Sequence, residues 1–134
     1  MTNSIKYLKT KRRFCVQILY RFFLMKENIF KIKQEILDGS QFEKQDEEME
    51  RHFLSILNQY SFFKESLLIL LSKNWTWERL PNIIKAILIN SVYEIKNLEL
   101  NKSIVITEAI EMTREFLPSW DTSFINAILD KINY

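Results

Sequence analysis

Apolar residues recur along this chain at intervals of three and four, and no stretch alternates apolar and polar as a half-buried strand does. One Gly and two Pro leave little material for tight turns between strands. The pattern predicts an all-α protein. A first helix is expected from about residue 5 to 26, with Phe14, Ile18, Phe22 and Met25 on one stripe and Cys15 and Leu19 beside it. A short second helix closes at Asp38-Gly39, where Gly takes the left-handed backbone of a helix stop. Asp46 is placed to cap a third helix whose inner face is Met49, Phe53, Ile56 and Leu57. Ser61 is expected to cap a fourth that carries Leu67, Leu68, Leu70 and Leu71 to about Asn74. Pro81 suits the first turn of a fifth, with Ile84, Ile87, Leu88 and Ile95 inward. A sixth runs from near Ser103 to Phe116 and is stopped by Pro118. A seventh runs from Asp121 to Ile132, with Ile125, Ile128, Leu129 and Ile132 inward. The acidic 39–50 stretch reads as a flexible loop between two helical halves.

The 134 residues, 47% apolar and 27% charged, suffice for one core, so a single domain over 1–134 is expected. One cysteine, Cys15, and one histidine, His52, exclude a disulfide framework and a His/Cys metal cluster. Gln17 and Arg21 interrupt the apolar run at 14–25, and "LLILL" is far shorter than a membrane span needs. The reading is a cytoplasmic protein without membrane, metal or cofactor. With one Gly in the chain there is no loop to cradle a nucleotide phosphate. His52 reads as a surface helix residue, and the carboxylate pairs Glu47/Glu48 and Glu108/Glu111 read as solvated. An enzyme is not indicated.

Charge changes the picture. Residues 1–33 carry nine Lys or Arg against one acid, Glu27, whereas residues 34–65 carry three against eight. A localised basic end suits a polyanion, although a solvated helix start has the same look. On a helical wheel Lys6, Lys9, Arg13, Gln17, Tyr20 and Leu24 share an arc at about 220° to 300° from Phe14. Cations for phosphates, a phenol ring for stacking and an amide for a base edge fit single-stranded RNA.

Three segments then resemble the NusB family of bacterial transcription antitermination factors, in order and at similar spacing. "RRFCVQILY" (12–20) is similar to the family's basic opening and Ala-x-Gln-x-Leu-Tyr signature. "KAILINSVYEI" (85–95) is similar to its Ala-Ile-Leu and Tyr-Glu segment, and "ITEAIEMTREF" (106–116) with "SFINAILDKI" (123–132) to its closing helices. The resemblance implies seven helices in two small bundles, binding to boxA RNA, and a heterodimer with the ribosomal small-subunit protein NusE within the antitermination complex on RNA polymerase. A homodimer is left open. It brings Lys6, Lys9, Lys11, Arg12, Arg13, Gln17, Tyr20 and Phe124 together as RNA-binding residues, and Tyr20, Ile84 and Tyr93 as a protein-partner set. Phe124 is expected to stack on a base near the phosphate-attracting start of the last helix. Departures fall at Leu8, Thr10, Ile84, Ile89, Thr107, Ser123 and Ala127, where the family has other residues. Two other readings are a helical protein-interaction module without RNA binding, and the RNA-recruiting module of an rRNA methyltransferase. A chain ending at Tyr134 leaves no room for the catalytic domain of the latter.

Overall fold

The computed structural model describes residues 5–38 and 47–133. Among these are seven α-helices and no strand: α1 (Ile5–Leu24), α2 (Ile29–Leu37), α3 (Glu47–Asn58), α4 (Tyr60–Leu68), α5 (Asn82–Lys96), α6 (Lys102–Phe116) and α7 (Thr122–Asp130). A short 3-10 turn, Trp77–Arg79, precedes α5. Asp46 and Gly39 lie outside the described residues, and 47–50, read as part of a loop, form the first turn of α3.

Helix α1 ends two residues earlier than its periodicity suggests. Lys26 and Glu27 take left-handed backbones (φ 56° and 60°), and their N–H groups donate to the carbonyls of Phe23 and Phe22. That double closure is a Schellman stop made without glycine. Asn28 then caps α2 by accepting from the Lys31 N–H at 3.0 Å. Ser61 does not cap α4. The helix begins two residues sooner, at Tyr60, with Gln59 in the cap position and no side-chain bond there. It stops at Leu68, after which Leu70 and Leu71 make tighter three-residue bonds and the chain returns Trp77 and Leu80 to the core.

Every residue of α5 from Ile84 to Ile95 is buried, the signature of a helix surrounded by others. It packs against α1, α3 and α4, which with α2 form one helical group, and against α6 and α7, which form the other. The apolar core draws on all seven helices. The buried arc of α1 is rotated from the expected stripe. Cys15, Val16, Ile18, Leu19, Phe22 and Phe23 face inward together with Lys11 and Arg12, whereas Phe14 is only half-buried. No helix among the described residues is long and apolar enough to cross a membrane.

Candidate nucleic-acid interface

The five cations at the start of α1 do not form one free face. Lys6 alone is exposed among them; Lys9 and Arg13 are half-buried, and Lys11 and Arg12 are buried. The cause is a row of carboxylates on α6. Glu108, Glu111 and Glu115 lie three and four residues apart, so they share a face, and that face meets α1. Lys9 Nζ donates to Glu108 at 3.0 Å and to Glu111 at 3.1 Å, and Arg13 Nε donates to Glu115 at 2.8 Å. Its hydrogen bonds to Glu108 and Glu111 hold the Lys9 ammonium above its ordinary range, and Lys9 in turn holds Glu111 below the usual one. Reading Glu108 as solvated is therefore corrected, since it is buried and paired, whereas Glu111 is exposed as expected and pairs with Lys9 at the surface.

Deeper in the fold, Arg12 Nε donates to both oxygens of Glu94 at 2.9 and 3.0 Å, and its Nη1 lies 3.5 Å from Glu108. The Arg12 and Glu94 side chains are 7% and 3% exposed. Burial pushes the Glu94 carboxyl up, opposed by Arg12 and by the Asn90 amide, which donates to it at 2.9 Å. With its amide nitrogen thus committed, Asn90 turns its carbonyl oxygen to His52 Nε2 at 3.2 Å. That assigns the proton of the neutral imidazole to Nε2. His52 is therefore not a surface residue: its ring is buried and lies edge-on to Tyr93, 4.7 Å between centroids. Lys11, 3.6 Å from Glu48, lies beside this chain of contacts.

Burial, and secondarily the charges of Lys11 and Arg12, push the His52 imidazole down from 6.5 to about 4, against the Asn90 bond and Glu48. The folded value lies below the unfolded one, so the neutral ring's contribution is complete above about pH 6.5 and is lost as pH falls towards 4. At the lower limit this amounts to about 3 kcal/mol. Urea unfolding of wild type and His52→Gln across pH 7 to 4 should show the wild type alone losing this increment, since Gln keeps the donor to Asn90 and does not titrate. Parallel curves would exclude His52 as the group responsible.

Of the α1 residues expected to bind RNA, Lys6, Gln17 and Tyr20 are exposed and form an edge. Gln17 and Tyr20 line an open cleft of about 470 Å³ together with Pro81, Asn82 and Ile83 at the start of α5 and Phe116 and Leu117 at the end of α6. The fold thus joins two of the expected residues to two other segments of the chain. It does not bring Ile84 or Tyr93 to them. Ile84 is fully buried, and Tyr93 is packed between the rings of His52 and Phe63, so neither presents a partner surface. Phe124 is half-buried against Trp75 and Trp120. The start of α7 is already taken by a carboxylate: Asp121 accepts from the Ser123 N–H at 2.9 Å and its hydroxyl at 2.8 Å. These bonds hold Asp121 below its ordinary range and put a carboxylate at the start of the helix. Glu94, Asn90, Glu108, Glu111 and Glu115 were not anticipated as site residues. The spacing of 108, 111 and 115 against that of 9, 12 and 13 was the available signal, two complementary rows at helical period.

The arrangement defines an all-helical protein built on a buried central helix, with a basic first helix clamped by acidic groups and an amide–phenol edge left open. The chain belongs to the NusB family, whose model matches residues 9–134. The transcription antitermination protein NusB of Sulfurimonas denitrificans is 34% identical over 119 residues, 88% of this chain and 89% of its own. Those of Aliarcobacter butzleri and Sulfurovum sp. are 29% and 26% identical, over 90% and 87% of this chain and 92% and 90% of theirs.

Proposed function

We propose that this chain acts as a non-enzymatic transcription antitermination factor, a single domain over 1–134 that works in the cytoplasm. In this reading it binds boxA-type single-stranded RNA together with the ribosomal protein NusE, within the complex on RNA polymerase. The exposed edge of α1 carries the proposal. Lys6 supplies a phosphate contact, Gln17 an amide that can read a base edge, and Tyr20 a ring and hydroxyl at the mouth of a cleft that two other segments complete. Lys9 and Arg13 reach phosphate by exchanging it for their α6 carboxylates. Lys11 and Arg12 act from behind, Lys11 by holding α1 on α3 and Arg12 by holding it on α5 and α6. Two modest affinities, for RNA and for a protein, then reinforce each other when the partners are joined. The relatives match over nearly their whole length and are named for antitermination, which favours this reading over a methyltransferase module.

Five free phosphate contacts would cost roughly 100-fold in affinity between 50 and 200 mM salt, at a slope of about −0.7 per contact. The ion pairs of α1 reduce the expectation to one to three contacts, hence about 3- to 20-fold. Glu115→Gln should free Arg13, tighten RNA binding and steepen the slope by up to about 0.7. A fluorescence-anisotropy titration of boxA RNA at the two salt concentrations measures both. A flat salt response would exclude the α1 edge as a phosphate contact and favour a protein-interaction module without RNA. Co-purification with the organism's own NusE-type protein, with and without RNA, tests the partner.

A further inference from the structure

A second cleft, of about 580 Å³, lies between α1, α3 and α5 and shares no residue with the one at Gln17 and Tyr20. Its volume falls inside the roughly 300–1,000 Å³ of small-molecule sites. Helix α3 supplies one wall, where Glu48, Arg51, His52 and Ser55 recur at intervals of three and four and so share a face. Lys11 of α1 and Tyr93 of α5 complete it. Lys11, His52 and Tyr93 are only 9%, 6% and 5% exposed, yet each keeps a polar atom that the fold leaves uncommitted. Lys11 Nζ stands 3.6 Å from Glu48, too far for a hydrogen bond, and donates to no other acceptor among the described residues. His52 spends its Nε2 proton on Asn90, so the lone pair of Nδ1 is an unused acceptor. The Tyr93 ring is fixed between those of His52 and Phe63, and its hydroxyl has no partner among the described residues. Buried polar groups are paired as a rule, so three uncommitted ones around one cleft point to partners from outside the fold.

Charge selects the occupant. Two cations, Lys11 and Arg51, line the cleft against one carboxylate, Glu48, and the exposed Arg51 is held only by a 3.9 Å approach to Glu47. An anion therefore finds two partners where a cation finds none that is free. The imidazole asks for something else: burial keeps His52 neutral at pH 7, so Nδ1 needs a donor. One molecule meets both demands if it carries an anionic group and a hydroxyl. The oxygens of a phosphate accept from an ammonium and a guanidinium at once, and Leu54 and Leu98 offer apolar surface to a carbon skeleton. We infer that this cleft binds a phosphorylated sugar, free or as part of a mononucleotide, with the phosphate on Lys11 and Arg51 and a sugar hydroxyl donating to His52 Nδ1. The site is independent of the RNA-binding reading above, because the two clefts have no residue in common, and the failure of either leaves the other standing.

His52 is the only histidine, so its imidazole signals in a proton–nitrogen NMR spectrum of the full chain report on this cleft without overlap. At pH 7 the ring should show the Nε2–H tautomer. Adding ribose 5-phosphate should move its signals saturably, and inorganic phosphate should bind more weakly because it brings no sugar hydroxyl to Nδ1. Adenosine monophosphate separates the two sources: tighter binding than ribose 5-phosphate assigns a mononucleotide, weaker binding a free sugar phosphate. Lys11→Met keeps the aliphatic stem and should weaken binding about 10- to 100-fold, as the loss of a hydrogen bond from a buried charge does. Arg51→Gln, at the exposed rim, should weaken it about 2- to 5-fold. Signals that do not move with either sugar phosphate up to about 10 mM overturn the inference. So does inorganic phosphate that binds as tightly as ribose 5-phosphate, since no sugar subsite then exists, and so does a folded Lys11→Met that binds as wild type does. Should Lys11→Met fail to fold, unchanged binding by Arg51→Gln overturns the inference in its place.

Discussion

Arg12→Ala is expected to cost about 3–5 kcal/mol of stability, a large share of the 5–15 kcal/mol that holds a domain folded. The side chain is buried against Glu94 and Glu108. Truncating it leaves the Glu94 carboxylate in the interior with only the Asn90 amide for compensation. An unpaired buried charge, more than the lost attraction, supplies the penalty. Urea unfolding of the single variant measures it. The double variant Arg12→Met/Glu94→Leu should recover much of the loss, because an apolar pair of similar volume needs no counter-charge. An Arg12→Ala protein with normal stability and impaired RNA binding would return Arg12 to the set of direct RNA contacts.

Phe22→Ala should be of similar size, about 3–5 kcal/mol, by a different route. Phe22 is fully buried, 5.0 Å from the Tyr60 ring in an edge-on contact and 5.3 Å from Phe23. It joins α1 to α4, so its loss opens a cavity between two helices that cannot close without moving both. A fall in melting temperature of about 10–20 °C follows for a chain of this length. Phe14→Ala should cost well under half as much, since Phe14 is half-buried at the edge of the inward arc. Equal costs for the two would mean that the rotation of α1 is wrong.

How far the chain could be read before it folded differs between its helices. Periodicity placed α5, α6 and α7 within a residue or two, since Pro81, Pro118 and Asp121 are local signals that act on the backbone beside them. It placed the stop of α1 two residues late, because Lys26 and Glu27 in left-handed conformations carry no glycine to announce them. It turned the inner face of α1 too far towards Phe14, because a wheel drawn from apolar residues gives a buried Lys11 and Arg12 no place. His52 failed for the same reason: one histidine on a polar helix says nothing about Asn90 waiting on another.

The sequence by itself determined an all-helical chain, a basic first helix with an amide and a phenol at helical spacing, and a family likeness that the comparisons bear out over residues 9–134. These depend on period, composition and order, which are properties of the chain alone. Only the tertiary structure decided which cations are free. Lys9, Arg12 and Arg13 meet Glu94, Glu108, Glu111 and Glu115 across about 80 to 100 residues of sequence, and a charge's availability is set by whatever stands within a few ångströms of it in space.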